Sequence, residues 1–390
     1  MKQEDYLLED LIFGDDEDGS DEDYSESSSD DLEEGVEVKG AGSQFVDSVK
    51  GMLVGFLCFI ISWPVLWCGA TRTELGKEFA KAVPIEKASK DGQLVFLTGT
   101  PKADEIGDGA SLPKGKYLAI NKQIEYYAVV SKEKSKTQKK GTKQVTTKWT
   151  EYTLEWTSSP KPIQMKYKKD RDTWRRFAQS NNLPSSVKNP VVPEGEKTSD
   201  MITTPNCTVN DYTVPVKDVR FKGGSKELDK VYLKGKKDSP KVGDKRISYS
   251  VYPSDIQYTF SGEKQGKALG THTVNNEPII VAADGGPDKL IANLKSEDRM
   301  MWWIYLIIGF VLMAAGLNML VGPLTTLLDF IPYVGEFGAG LIRFILTIVA
   351  AVLSLIFYLL VYYWWIVLII VAGVVGFLIY KKKSAAPASA

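Results

Sequence analysis

Cysteine and histidine are scarce in this sequence, with three and one among 390 residues. So few cysteines exclude a disulfide-rich fold, and we expect Cys207 to be a buried thiol rather than the partner of Cys68 in a bridge. A single histidine excludes a His-rich metal site, and the setting of His272 predicts a surface imidazole rather than a catalytic base. There is also no glycine-rich phosphate loop. We therefore predict no enzymatic activity, no catalytic residues, no metal and no cofactor.

Acidic and basic residues are segregated along the chain. Residues 1–50 contain 18 Asp and Glu against three Lys, whereas the rest contains 45 Lys and Arg against 31 Asp and Glu. The start of the chain has too few apolar side chains to offset the entropy of ordering. Residues 1–43 are therefore predicted to be an acidic, disordered cytoplasmic tail.

Long uncharged runs predict four membrane-spanning helices, one before and three after a soluble region. The first, Met52–Ala70, has 19 residues and would extend about 28 Å, close to the hydrocarbon thickness of a bilayer. We assign residues 44–70 to this helix, a retained anchor because an acidic stretch precedes it. The region 300–380 contains three further spans, Met301–Val321, Leu341–Val361 and Trp364–Tyr380. Small residues within them, such as Gly309 and Gly316, predict close helix packing.

Residues 71–299 are predicted to form a β-rich α+β domain. Tyr126–Val130 and Trp149–Trp156 have the composition of two hairpin arms joined by a long Lys- and Thr-rich loop, Ser131–Lys148. Further strands are predicted at Leu94–Leu97, Lys230–Leu233, Arg246–Tyr252, Gln257–Phe260 and Ile279–Val281, and short helices at Thr173–Gln179 and Lys289–Leu294. The lysine-rich loop lacks the interleaved aromatic residues of a nucleic-acid-binding surface, so no nucleic-acid partner is expected.

Charge near the spans predicts the orientation. Lys381–Lys383 close the last span and should remain cytoplasmic, as should a tail of residues 381–390. Four spans then place both termini in the cytoplasm or nucleoplasm and residues 71–299 in the lumen, although Arg72 and Lys77 oppose this orientation. Asn206 begins an Asn-Cys-Thr acceptor for N-glycosylation within the predicted luminal region.

Three charged residues separate the second and third spans. Asp329, Glu336 and Arg343 are spaced at intervals of seven residues, so they would share one face of a helix. The surrounding segment, residues 323–340, contains prolines and glycines among apolar residues, which favours a stretch lying in the membrane interface. The alternative is an ion pathway lined by these charges.

Several motifs resemble those of the LUMA family, also called the transmembrane protein 43 family. The stretch containing Val242, Gly243, Asp244, Arg246 and Ser248 is similar to the family's Val-Gly-Asp-x-Arg-hydrophobic-Ser motif. Further similarities are Glu125 and Tyr127, Tyr152, Glu155 and Trp156, Lys188-Asn189-Pro190, Gly316-Leu317-Asn318, Asp329 and Pro332. The resemblance extends from about Gly51 to the end. Where the family usually carries an Asn-Glu-Gly-Arg turn, this sequence has Cys68-Gly69-Ala70-Thr71-Arg72, in which only the arginine is clearly retained.

The resemblance implies a membrane protein of the endoplasmic reticulum and inner nuclear membrane, or of a cell envelope if the protein is prokaryotic. It also implies self-association into a homo-oligomer and association with nuclear-envelope membrane proteins, without enzymatic activity. Our leading hypothesis is a membrane scaffold that contacts membrane lipid. The alternative hypotheses are a channel or transporter component that uses residues 329–343 and, with less support, a luminal hydrolase.

Overall fold

The computed structural model describes residues 32–140, 143–184, 186–328 and 335–364, together with 369, 372–375 and 377. The helices are α1 (Ala41–Thr71), α2 (Leu75–Phe79), α3 (Asp170–Ser180), α4 (Pro287–Leu320), α5 (Gly322–Leu328) and α6 (Gly335–Tyr362). The strands are β1 (Val36–Lys39), β2 (Val83–Pro84), β3 (Leu94–Gly99), β4 (Lys102–Ala103), β5 (Tyr117–Lys140), β6 (Lys143–Thr157), β7 (Ser199–Thr203), β8 (Cys207–Val209), β9 (Tyr212–Thr213), β10 (Val219–Phe221), β11 (Lys226–Glu227), β12 (Val231–Lys234), β13 (Lys245–Pro253), β14 (Tyr258–Gln265), β15 (Ala268–Gly270), β16 (His272–Val274) and β17 (Glu277–Asp284).

Three helical stretches in the described residues are long and apolar enough to cross a membrane. They are Gly42–Phe79, Pro287–Leu320 and Gly340–Tyr362, and only 17–22% of the residues in their apolar windows are buried. The exposed side chains are large and apolar, for example Phe56, Ile307 and Phe344, as expected for helices that face lipid. Three of the four predicted spans are thus confirmed as candidates, and most of Trp364–Tyr380 lies outside the described residues.

A β-rich region lies between the first and second of these helices, as predicted. One sheet has the strand order β1-β6-β5-β13-β11, with β7 also paired to β5 and β12 to β13. The second has the order β10-β17-β14-β15-β9-β8-β4, with β3 on β14 and β16 on β17. The predicted strands at Arg246–Tyr252 and Ile279–Val281 form the central parts of β13 and β17.

Strand β17 connects the soluble domain to the helices. Ile280 and Ala282 belong to the apolar core of the second sheet, whereas Ile279, Val281 and Ala283 pack on the opposite side with α2 and the first turns of α4. Alternate residues of a strand face opposite sides of its sheet, so this uninterrupted apolar run is buried on both faces. The sheet is therefore seated directly on the helices.

Helix α4 begins inside the predicted soluble domain and continues without interruption into the second span. The predicted domain boundary at residue 299 is therefore not a structural boundary. The change to apolar residues at Met300 reflects a change in what surrounds the helix, because helical hydrogen bonding can continue across it. Leu290 and Leu294 pack against the sheet, and the residues after Met300 join the membrane helices.

The hairpin formed by β5 and β6 is much longer than predicted. Tyr127 and Trp156 lie opposite one another as expected, but pairing continues from there to Lys140 and Lys143. The prediction of a loop at Ser131–Lys148 is therefore wrong. The side chains from Lys132 to Thr137 are exposed and those from Thr146 to Lys148 are half-buried. Lysine and threonine predominate here, so the sequence lacks the apolar alternation by which a strand is recognised.

The predicted tail is ordered at its end. Val36–Lys39 pair with Gln144–Thr147 on the outer edge of β6, and α1 begins at Ala41, three residues before the predicted start of the first helix. Glu37 Oε2 lies 3.7 Å from Lys148 Nζ in this pairing. Residues 1–31 lie outside the described residues.

Asp108 organises the loop before β5 from a fully buried position. Its Oδ1 accepts backbone N–H groups of Ser111 and Leu112 at 2.8 and 2.7 Å. Its Oδ2 accepts the Tyr249 hydroxyl and lies 2.9 Å from Lys122 Nζ. Burial alone would raise the pKa of Asp108, but these donors outweigh it and hold the pKa well below its usual range.

We predict that Asp108→Asn removes a pH-dependent part of the stability. Because the pKa of Asp108 is lower in the folded than in the unfolded chain, its contribution is complete above about pH 5 and is lost progressively as the pH falls below the unfolded-state pKa of about 4. The variant should be less stable at pH 7 by about 2–4 kcal/mol and should show a weaker loss of stability between about pH 5 and 3. Chemical unfolding of the purified full chain at several pH values measures both. If the stability of the wild type and that of Asp108→Asn fell equally with pH, Asp108 would not be a source of the pH dependence.

Candidate functional site at the junction of helices and domain

Helices α1 and α4 pack closely through glycines, as their small residues predict. A Cβ atom on Gly316 would lie 2.7 Å from the backbone nitrogen of Phe59, and one on Gly309 would lie 2.3 Å from Leu66 Cδ2. Real Cβ atoms do not approach so closely. At Gly316 the neighbouring atoms belong to the backbone, so only glycine fits there, whereas at Gly309 the Leu66 side chain would have to shift. Without a hydrophobic driving force in lipid, such close contact is the main source of helix association.

Helix α6 completes a three-helix bundle. Tyr358 is fully buried and its ring packs edge-on against Trp302, with centroids 5.1 Å apart. Ser354 Oγ lies 3.3 Å from Met313 Sδ. The buried interior consists mainly of Leu66, Ala70, Leu306, Met313, Ala350, Tyr358 and Val361. The interior of the described part of the bundle is therefore mainly apolar.

A polar contact joins the end of α6 to the chain that follows α1. The Tyr362 hydroxyl donates to Glu74 Oε1 at 2.6 Å, and Lys77 Nζ donates to the same carboxylate at 2.8 Å and to the Tyr362 hydroxyl at 3.0 Å. Glu74 and Tyr362 are 288 residues apart in the sequence. The third described span is thereby tied to the base of the soluble domain.

Helix α2 is held against α4 at the same level. The carboxylate of Asp298 accepts the N–H groups of Leu75 and Gly76 at 3.0 and 2.7 Å, which satisfies two free donors at the start of α2. Gly76 allows the close approach, since a Cβ there would lie 2.6 Å from Lys295 Cγ. The first turns of α4 are thus fixed to the segment that leaves α1.

His272 connects α2 to the sheet and is not the surface imidazole that was predicted. Its Nδ1 lies 2.9 Å from Glu263 Oε1, its Nε2 lies 3.4 Å from Glu78 Oε1, and its side chain is 20% exposed. Its ring packs edge-on against Phe79. The sequence could not show this, because both carboxylates meet the ring only through folding.

A cavity of about 320 Å³ opens beside these contacts. Its walls include Arg72, Lys295 and Arg299, together with the rings of Trp302 and Tyr362. Its volume lies within the range of ligand-binding pockets. Among the described residues, no group of three or more His, Cys, Asp or Glu side chains is arranged to hold a metal ion.

The opposite end of the bundle is also polar. There Asn318 Nδ2 lies 3.3 Å from Thr347 Oγ1, and Arg343 Nη2 lies 3.5 Å from Thr325 Oγ1. Of the three charged residues predicted as a set, the structure describes the side chain of Arg343 alone, because Asp329 and the side chain of Glu336 lie outside the described residues.

The motif at Val242–Ser248 meets the paired strands inside the soluble domain. Arg246 Nε donates to Glu125 Oε2 at 2.7 Å, and the two side chains are only 13% and 16% exposed. Ser248 Oγ lies 3.3 Å from the same oxygen. The guanidinium group lies 4.2 Å from the centre of the Trp156 ring, and the centres of the Tyr127 and Trp156 rings are 5.2 Å apart.

Two turns fix the edges of this arrangement. Gly243 has a φ of +92°, which favours glycine, and its N–H donates to the Tyr127 carbonyl at 2.9 Å. Asp244 Oδ2 accepts the Lys241 N–H at 2.8 Å. The Asn189 side chain bonds both backbone groups of Val129, at 2.8 and 2.6 Å. The separate sequence motifs therefore form one structural brace of β5, β6 and β13.

Residues 126–368 match the family model described as Transmembrane protein 43, over more than half of the chain. The chain belongs to the transmembrane protein 43 family. The match includes the motif at Val242–Ser248 and the second and third described spans. It confirms the resemblance to LUMA proteins. No curated protein and no solved structure shows a detectable match.

In this member of the transmembrane protein 43 family, the predicted glycosylation acceptor is accessible. Asn206 is exposed at the start of β8, and its side-chain amide donates to Asp104 Oδ2 at 2.7 Å. Glycosylation stays a prediction. The neighbouring Cys207 is a buried free thiol, as expected, and burial raises its pKa to about 12.

The junction was not singled out as a site from the sequence, although signals for it were present. Arg72 and Lys77 opposed the predicted orientation, and Tyr362 began an aromatic run. Together they indicated a charged and aromatic layer of the kind found at a membrane interface. The carboxylates that complete it, Glu74 and Asp298, could not be paired with these residues without the fold.

Proposed function

We propose that this transmembrane protein 43 family member is a multi-pass scaffold of the endoplasmic reticulum and inner nuclear membrane. It organises membrane-protein complexes and associates with further copies of itself. The support is its family, its lipid-facing helices and the way in which the soluble domain is attached to them. The proposal rests mainly on the attachment of the domain to the helices.

Two features make the domain and the helices one mechanical unit. Helix α4 runs from the sheet into the bundle without a break, and Glu74, Lys77 and Tyr362 bind α6 to the base of the domain. A further ion pair joins Lys222, next to the sheet, to Glu297 of α4 at 2.6 Å. A domain held in this way presents its surface at a fixed orientation to the membrane, which suits a platform for other membrane proteins.

The polar ends of the helices support one placement in a bilayer. Lys50 and Arg72 are 22 residues apart on and just after α1, and Arg343 and Tyr362 are 19 residues apart on α6. At 1.5 Å per residue these separations are about 33 and 28 Å, close to the hydrocarbon thickness. The hydrocarbon then lies between the Lys50–Arg343 level and the Arg72–Tyr362 level. This favours an interfacial position for Arg343 over one inside a pathway.

The contact between β1 and β6 opposes this placement. Residues 71–299 touch both ends of α1, because Thr73 bonds to Asn275 while Val36–Lys39 pair with β6. From Tyr126 to Lys140 the hairpin extends about 46 Å, as long as α1 itself. If α1 crosses a bilayer, the paired hairpin would have to cross it as well.

We infer that a surrounding bilayer separates β1 from β6. An open two-stranded hairpin leaves backbone groups without partners in hydrocarbon, and each charged side chain there costs about 2.5–3.5 kcal/mol. The lysines of the hairpin alone would therefore cost more than about 10 kcal/mol. Residues 33–39 are held to the domain by the β1–β6 pairing and by backbone hydrogen bonds of Glu33 with Lys166 and Lys168. A handful of such bonds at about 1 kcal/mol each stabilises the contact by less than that cost. The predicted orientation, with both termini opposite the domain, is the one that we propose.

The described bundle favours a scaffold over a channel component. Its interior is occupied mainly by apolar side chains such as Leu66, Met313 and Ala350, with Ser62 and Ser354 as buried polar exceptions. A conducting pathway needs polar or charged groups along its length.

Proximity labelling from each terminus in native membranes tests the scaffold proposal. We expect the labelled proteins to be enriched in other membrane proteins of the nuclear envelope, relative to an unrelated endoplasmic-reticulum protein of equal abundance. Two differently tagged copies should also co-purify from membranes. Labelling that matches the unrelated protein, together with tags that do not co-purify, would contradict the proposal.

A further inference from the structure

The cavity at the junction combines positive charge with an aromatic rim. Arg72, Lys295 and Arg299 line it, and none of the three has an ion-pair partner among the described residues. The two acidic side chains in its wall are engaged elsewhere, since Glu74 binds Lys77 and Tyr362 and Asp298 caps α2. With Lys77, the cavity wall carries four cationic side chains against two carboxylates, so its net charge is positive.

Its position relative to the spans indicates which kind of molecule can reach it. Gly69 and Tyr305 belong to the membrane helices, whereas Thr73 and Lys295 belong to the polar layer above them, and all four line the cavity. The opening thus extends from the ends of the lipid-facing helices into the polar layer. Trp302 and Tyr362 lie at the depth where aromatic side chains contact lipid headgroups.

We propose that this cavity binds the phosphate-bearing headgroup of an anionic phospholipid. Arginine and lysine form charge-assisted hydrogen bonds with phosphate oxygens, and basic pockets beside membrane helices recognise acidic headgroups. The acyl chains would continue along the exposed apolar surfaces of α1 and α4. A soluble phosphate compound has the same recognition chemistry, but the aromatic rim and the contact with the spans favour lipid.

Binding to the purified full-length protein in detergent tests the proposal, with native mass spectrometry as the readout. The probes are dioleoyl phosphatidylglycerol, dioleoyl phosphatidylcholine and inorganic phosphate. We expect phosphatidylglycerol to bind more tightly than phosphatidylcholine. The double variant Arg72→Gln/Arg299→Gln should bind phosphatidylglycerol about 10–30-fold more weakly, and Lys295→Gln about 5-fold more weakly.

The control is Arg175→Gln/Arg176→Gln, which removes two exposed arginines from α3, away from the cavity, and should change the affinity less than about 2-fold. If the double variant proves unstable, Lys295→Gln still tests the site, because that side chain is exposed. Equal phosphatidylglycerol binding by wild type and both cavity variants would overturn the proposal. Displacement of the lipid by millimolar inorganic phosphate would show that the headgroup phosphate alone is recognised and would reject a lipid as the source.

Discussion

Replacing Glu125 with glutamine should destabilise the soluble domain by about 2–4 kcal/mol, slightly less than the range for completely buried ion pairs. The loss is expected because Arg246 would keep its charge in a site that is only 13% exposed, under the Trp156 ring. Hydrogen-exchange mass spectrometry of the full chain should show faster exchange in peptides that cover β5 and β13. Peptides from the second sheet should change much less.

Two further variants separate the effect of the buried charge from that of lost packing. The double variant Glu125→Leu/Arg246→Met removes both charges and should recover much of the stability. Glu155→Gln breaks the exposed ion pair with Lys132, in which the lysine side chain is 51% exposed and the glutamate side chain 44% exposed. This variant should lose only about 0–1 kcal/mol of stability. If hydrogen exchange in β13 were the same in Glu125→Gln as in the wild type, the Glu125–Arg246 ion pair would contribute little to the stability of the domain.

The Gly316→Ala variant should weaken the membrane bundle. The added Cβ would lie 2.7 and 2.8 Å from backbone atoms of Phe59 and Gly55. A backbone cannot move aside as a flexible side chain can, so α1 and α4 must separate. We expect a loss of at least about 1–3 kcal/mol, seen as a lower unfolding temperature in detergent and a lower abundance in membranes.

Gly340→Ala is the matched control. It lies in α6, and a Cβ there would meet no atom within 4 Å. Because alanine favours helix more than glycine, this variant should be neutral or more stable by up to about 1 kcal/mol. If Gly316→Ala proved as neutral or as stabilising as Gly340→Ala, the close packing of α1 and α4 at Gly316 would contribute little to the stability of the bundle.

The sequence was sufficient where side-chain patterns are local. Apolar runs predicted the three described spans, and alternation around Tyr127 and Trp156 predicted their pairing. The extension of the hairpin beyond Ser131 was missed, because the lysine and threonine side chains in this part of the sequence do not alternate in polarity. The continuity of α4 was missed for a related reason, since hydropathy reports what surrounds a helix and not where it ends.

Contacts between distant positions could not be predicted. Asp108 meets Tyr249 across 141 residues, and Tyr362 meets Glu74 across 288; the composition around each residue gives no sign of its partner. The motif shared with transmembrane protein 43 proteins was recognised from the order of its residues. Its role as an ion pair beneath Trp156 became visible only when β5, β6 and β13 were aligned.

The central claim is that α1 crosses the membrane, so that residues 33–39 and the soluble domain lie on opposite sides. Val38 and Val145 lie opposite one another in the β1–β6 pairing, so Val38→Cys/Val145→Cys reports this contact through disulfide formation. Thr98→Cys/Thr259→Cys is the positive control, because these hydroxyls lie 2.9 Å apart within the domain.

The measurement is oxidative cross-linking of these two double variants in sealed native membranes, repeated after the membranes are dissolved in detergent. We predict that the control variant cross-links in both conditions, whereas Val38→Cys/Val145→Cys cross-links only in detergent, where no bilayer separates the two introduced thiols. Efficient cross-linking of Val38→Cys/Val145→Cys in sealed membranes would place the start of α1 and the domain on the same side. That result would contradict a membrane-spanning α1 and, with it, the scaffold placement proposed here.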